Sequence, residues 1–234
     1  MPDLTIIAPF EVPTGQEDIL REQWHRGAER LSHMSGFLSA RLYEISPEVE
    51  EYVQSHITGL KWLEQRFRFV NIARWASAAH YEAALRAPLD RWPVSFTSYP
   101  AFYRLYGGLD RPSVPQEART GQEFTFIVPF EVPEGQEEEM HSQFQAVVAG
   151  MEHREGSLGP GLYELDTEAD AHLRPLLSSR LQNSAQFRFV NVAEWASVMH
   201  YEATMRSRRH IKPISFTGHG AYYRVAAQYT GQNA

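Results

Sequence analysis

Phe67-Arg68-Phe69-Val70-Asn71 is followed, 120 residues later, by Phe187-Arg188-Phe189-Val190-Asn191. Working outward from it, Leu4–Tyr106 aligns on Phe124–Ala226 without a gap, and Pro9-Phe10-Glu11-Val12-Pro13 returns as Pro129-Phe130-Glu131-Val132-Pro133. A period this long exceeds that of solenoid repeats and marks a duplicated domain. The sequence predicts one domain over residues 1–109 and a second over 123–234. Between them, 110–122 carries two prolines and mixed charges and reads as a linker.

Composition narrows the function classes. A net charge of −7 without a basic stripe argues against a nucleic-acid partner. Cysteine is absent, so thiolate metal sites, disulfides and cysteine nucleophiles are excluded. The acidic start Met1-Pro2-Asp3 lacks a basic-then-apolar stretch, and no run approaches the ~20 apolar residues of a membrane span. These features predict a cytoplasmic protein with no membrane partner.

Each half reads in the same order. Thr5–Val12 has the length and apolarity of a strand and is closed by Pro13 and Gly15. Leu20, Trp24, Ala28 and Leu31 fall on one face of a helix, as do Met140, Phe144, Val148 and Met151. Gly36 and Gly156 stop those helices, and Phe37–Glu44 is a second strand. Phe67–Ala73 is a third strand, Trp75–Arg86 a second helix and Ala101–Tyr106 a fourth strand. The order β-α-β-β-α-β predicts an α+β, ferredoxin-like fold in each half. Apolar residues on both faces of the third strand imply that the two sheets pack face to face. The expectation is a pseudo-dimeric α/β barrel within one chain, with pairing between chains as the competing arrangement. The least similar segments, Ile45–Gln65 and Leu165–Ala185, are long enough to be covers over a site, or are merely less constrained.

Both halves keep Asn-x-x-x-Trp-x-x-x-x-His-Tyr: Asn71, Trp75, His80, Tyr81 and Asn191, Trp195, His200, Tyr201. By parity the Asn shares a strand face with Phe67 and Phe69, or Phe187 and Phe189. An amide in an apolar cavity is a donor for a ligand carbonyl or enolate oxygen, and the Trp indole N–H can be a second. The bland alternatives are a bulge or capping amide for Asn71, core packing for Trp75 and Tyr81, and a solvated or supporting role for His80. Arg86 and Arg206 suit either a helix C-terminus or an anion clamp. No metal-ligand spacing and no Gly-rich phosphate loop is present.

The pattern Phe-x-Phe-Val-Asn-[Ile/Val]-Ala-x-Trp-Ala-Ser-x-x-x-Tyr-Glu-Ala, with Pro-Phe-Glu-Val-Pro and the Gly before strand two, resembles the antibiotic biosynthesis monooxygenase family of dimeric α/β barrels. The resemblance covers both halves. It implies a cofactor-independent monooxygenase that oxidises a polycyclic aromatic polyketide-type phenol or anthrone to a quinone with O2. No flavin, haem or metal is implied. The partners would be a small aromatic substrate and O2, and a homodimer of the two-domain chain is compatible with it. The resemblance assigns catalytic roles to Asn71, Trp75, Tyr81, Asn191, Trp195 and Tyr201. Substrate-binding candidates are Phe67, Phe69, His80, Arg86, Trp24 and Trp62, with Phe187, Phe189, His200 and Arg206 from the second half. Haem-degrading relatives pair a Trp with a His about ten residues on. Here those positions are Leu85 and Met205. A polyketide cyclase or aromatase, or a non-catalytic ligand-binding protein, is the alternative on the same scaffold. The halves differ at Trp24, His25, Trp62 and Trp92, which become Phe144, Gln145, Gln182 and Lys212. The aromatic-rich first half is therefore the favoured site.

Overall fold

The computed structural model describes residues 3–57, 65–87, 95–108, 121–150, 154–178, 181, 187–207 and 214–231. The first half runs β1 (Leu4–Glu11), α1 (Glu17–Ser32), β2 (Phe37–Ile45), α2 (Pro47–His56), β3 (Phe69–Trp75), α3 (Ala78–Arg86), β4 (Thr97–Ser98) and β5 (Ala101–Gly108). The second half is β6 (Phe124–Glu131), α4 (Glu137–Ala149), β7 (Ser157–Leu165), α5 (Thr167–Leu173) with a 3-10 turn at Arg174–Leu176, β8 (Phe189–Trp195), α6 (Val198–Ser207), β9 (Thr217–Gly218) and β10 (Ala221–Thr230). Trp75 and Trp195 end strands. The helix placed at Trp75–Arg86 begins at Ala78, where the Ser77 hydroxyl accepts from the His80 N–H and caps it.

Each half forms a four-stranded antiparallel sheet, β2-β3-β1-β5 and β7-β8-β6-β10. The last strand of each sheet then pairs across the halves: β5 with β7, Tyr103 opposite Leu165, and β10 with β2, Tyr223 opposite Ile45. Eight strands thus close into a barrel within one chain, which removes the free edges that either sheet would expose alone. A residue-level bulge interrupts β5 between Leu105 and Gly107, and its counterpart interrupts β10 between Val225 and Ala227.

Alternation along β3 sends Val70 and Ile72 into the barrel, and Phe69, Asn71, Ala73 and Trp75 toward the helices. The barrel interior is packed with Tyr43, Phe67, Tyr103, Phe187 and Tyr223. Burial of each such side chain contributes about 2 kcal/mol. Tyr103 donates to the Phe187 carbonyl at 2.9 Å and Tyr223 to the Phe67 carbonyl at 2.8 Å, so each half ties down the start of the other's third strand. Phe67 and Phe187 meet edge-on at 5.5 Å in this centre. They do not share a face with Asn71 and Asn191: a bend at Arg68, and likewise at Arg188, breaks the parity assumed from the sequence.

The segments read as covers are crossed. Val49 and Val53 of α2, with Ile57 just after it, pack into the core of the second half, beside Trp195 and Tyr201. From the second half, Leu173 and Leu177 pack into the core of the first, beside Trp24 and Trp75. Polar contacts repeat the exchange: Tyr52 donates to Glu202 at 2.7 Å, and His172 meets Glu82 at 2.8 Å. Arg174 anchors the second cover. It is paired with Asp170 at 2.7 Å and donates to the Pro100 carbonyl of the first half at 3.1 Å. The helix within Ile45–Gln65 ends at His56; residues 58–64, with Trp62, lie outside the described residues.

Candidate functional site

Between the first sheet and its helices lies a cavity of about 870 Å³, within the range of small-molecule sites. Ile6, Ala8, Ala40 and Ala73 from the sheet, and Trp24, Gly27, Ala28 and Leu31 from α1, make its apolar walls. Asn71, Trp75 and Tyr81 line it, and Leu176, Leu177, Ser178 and Leu181 of the second half close it. Arg26, Arg30 and Ser178 are exposed as well as lining, so they mark the mouth.

Two donors face this space. The Trp24 indole N–H donates to Asn71 Oδ1 at 2.8 Å. An indole nitrogen can only donate, so the oxygen of the amide is fixed toward Trp24 and the Asn71 NH2 group is turned to the cavity. Among the described residues it has no acceptor. Tyr81 is the second: burial pushes its phenol up to about 12, so at neutral pH it is an O–H donor and not a base. Its hydroxyl also has no partner among the described residues.

Trp75 lines the cavity as well. Its ring is fully buried, edge-on to Phe37 and Tyr81, both at 5.3 Å. Its indole N–H has no partner among the described residues, but neither has that of Trp195.

The second half builds several of the equivalent wall positions from larger side chains. At the wall positions Ile6, Ala8, Gly27 and Ala28 it has Phe126, Val128, Val147 and Val148. Phe126 stacks on Tyr222 at 4.8 Å. A Cβ at Gly218 would approach Val128 to 2.6 Å, which shows how closely that region is packed. The polar groups are spent differently too. Tyr201 hydrogen-bonds Tyr222 at 2.9 Å, whereas Tyr222 is replaced by Phe102 beside Tyr81. Asn191 faces a half in which Phe144 replaces Trp24, so no indole fixes its amide.

Several candidates lie elsewhere. His80 and His200 do not line the cavity. Each accepts or donates at its capping serine at 2.8 Å, and each ring lies where a Cβ on Gly36 or Gly156 would sit, 2.2 Å from it. Both glycines have positive φ, so residue type and conformation are set by this clasp. Arg86 and Arg206 are exposed and pair with Glu82 and Glu202 one turn back on their helices. They are helix-surface charges, away from the cavity. Phe69 and Phe189 are buried in the helix-side cores, and Arg21 lies 5.7 Å over the Phe69 ring.

Sequence reasoning missed Gln23, Arg26, Arg30 and Ser98, and the closing residues from the other half. One signal was in the alignment. Four wall positions, Ile6, Ala8, Gly27 and Ala28, are smaller than their counterparts in the second half. The crossing of the covers left no such trace.

Residues 3–89 match the family model described as antibiotic biosynthesis monooxygenase. Among solved structures, an anthrone oxidase-like protein superposes with a TM-score of 0.63 at 12% identity, over 99% of this chain and 94% of the other. A "putative monooxygenase" from Fusobacterium nucleatum gives 0.60 at 10% identity, over 98% and 94%. One so described from Lactobacillus acidophilus gives 0.53 at 6%, over 98% and 97%. At these identities the likeness establishes the fold alone. A search of curated protein sequences returns no match.

Proposed function

From the match of residues 3–89 to the antibiotic biosynthesis monooxygenase family model, we propose a cofactor-independent oxygenase whose substrate is a fused-ring phenol or anthrone, bound in the first half. The observation that carries the reading is the Asn71 amide, locked by Trp24 so that its N–H groups face an apolar cavity, an arrangement the second half lacks because Phe144 stands where Trp24 does.

The chemistry asked of the site is modest. An anthrone methylene loses a proton and its negative charge spreads onto the ring oxygen. Donors already aimed at that oxygen stabilise the enolate without reorganising, which makes such donors worth far more than in water. Asn71 and Tyr81 have the right chemistry for this. The carbanion passes an electron to O2, the two radicals combine in a C–O bond, the resulting peroxide anion takes back a proton, and the hydroperoxide loses water to leave the carbonyl. The sum is CH2 plus O2 giving C=O plus H2O. No carboxylate or imidazole lines the cavity among the described residues.

Purified protein incubated in air with an anthrone-type substrate is expected to take up O2 and develop quinone absorbance faster than the spontaneous reaction. A rate equal to the spontaneous one contradicts the proposal. Consumption of a polyketide-type substrate without O2 would instead indicate a cyclase.

A further inference from the structure

Two of the residues at the cavity mouth are cations, Arg26 and Arg30, one turn apart on α1. In the second half their positions hold Ala146 and Gly150. Arginines with structural partners behave differently. Arg68 pairs with Glu17 at 2.6 Å, and the duplicate Arg188 pairs with Glu137 at 2.6 Å. The structural ion pair was kept in both halves, while the mouth cations occur only in the first. Arg26 is held by Glu22 on its own helix. Arg30 has no carboxylate partner among the described residues, and the whole chain carries a net charge of −7, so a general attraction for anions is absent.

Taking the first-half cavity as the substrate site, we infer that its substrate is an aromatic acid. Its fused rings lie against Ala8, Ala28 and Ala40, and its carboxylate meets Arg30, with Arg26 beside it, at the mouth. A guanidinium suits this because its planar fork of donors matches a carboxylate in two parallel hydrogen bonds. Placing the anion at the wet end also avoids the cost of burying a charge among the alanines. The enolate oxygen is then held at depth by the Asn71 amide, so the two ends of the substrate are recognised by different groups and its orientation is set.

Anthraquinone-2-carboxylate and its carboxamide serve as probes, because both are inert to oxygenation and differ by one charge. Binding is read from quenching of tryptophan fluorescence, which needs no turnover. Wild-type protein should bind the carboxylate about tenfold more tightly than the carboxamide, the scale expected of a partly exposed charge-assisted contact. The preference should shrink as salt is raised, fall toward one in Arg26→Ala/Arg30→Ala, and survive in Arg30→Lys. Equal binding of the two probes by wild type overturns the inference, and so does a preference that the double variant retains. A charge preference in a protein that takes up no O2 would leave this assignment standing while the oxygenase reading fell.

Discussion

At the scale of single residues, the two halves differ in how they use the same amide and the same phenol. Trp24 is the residue that separates them, because its indole N–H decides which way Asn71 points. In Trp24→Phe, the side chain found at the equivalent position 144, the amide is released to flip. A fall in kcat of about tenfold is expected with the fold unchanged by circular dichroism; an unaltered kcat would show that amide orientation is immaterial. This dependence was only half legible beforehand. The Asn, Trp and Tyr stood out because the repeat preserved them, but preservation alone did not distinguish cavity groups from framework. His80 is as well preserved as Asn71, and the structure places it in a clasp against Gly36. What discriminates is a neighbour that changes: Trp24 for Phe144, and Phe102 for Tyr222.

At the scale of elements, the crossed covers make each half dependent on the other. Arg174 and Asp170 are nearly buried, at 13% and 9% side-chain exposure, and fasten the second cover to the first half. Breaking such a pair costs about 3 kcal/mol. Arg174→Ala should therefore lower Tm and raise KM at the first-half cavity. Tyr52→Phe, which loosens the opposite cover, should leave KM alone. The reverse pattern would mean the covers do not act across the halves. α2 also carries Glu50, whose carboxyl is raised above the usual range by burial, although it accepts from the Tyr222 N–H. For a carboxyl raised in the folded state, its contribution is favourable below the ordinary carboxylate range and is lost as pH rises through the raised value. Glu50→Gln is accordingly expected to raise Tm at pH 7 and to have no effect near pH 4; a loss of stability at pH 7 would contradict this. Strand and helix order followed from hydrophobic period, since each element is amphipathic. The crossing did not, because a cover's apolar face packs equally well, as far as its own sequence tells, on either half.

At the scale of the molecule, duplication within one chain produced a closed barrel in which the last strand of each half completes the sheet of the other. Fragments 1–109 and 123–234 expressed separately should aggregate or remain unfolded alone and form a one-to-one complex when mixed. Two stable, monomeric fragments would show that the barrel is not obligatory. The barrel itself was readable from apolar residues on both faces of β3. The asymmetry of its two helical layers was readable only as a difference in side-chain volume, Ala8 against Val128 and Ala28 against Val148. One site per chain, in the first half, is the central claim. It is tested most directly by comparing O2 uptake in Asn71→Ala and Asn191→Ala with the same anthrone-type substrate. The account predicts a loss of about a hundredfold in kcat for Asn71→Ala, the scale of removing one oxyanion donor, and a wild-type rate for Asn191→Ala. Equal losses in the two variants would contradict it.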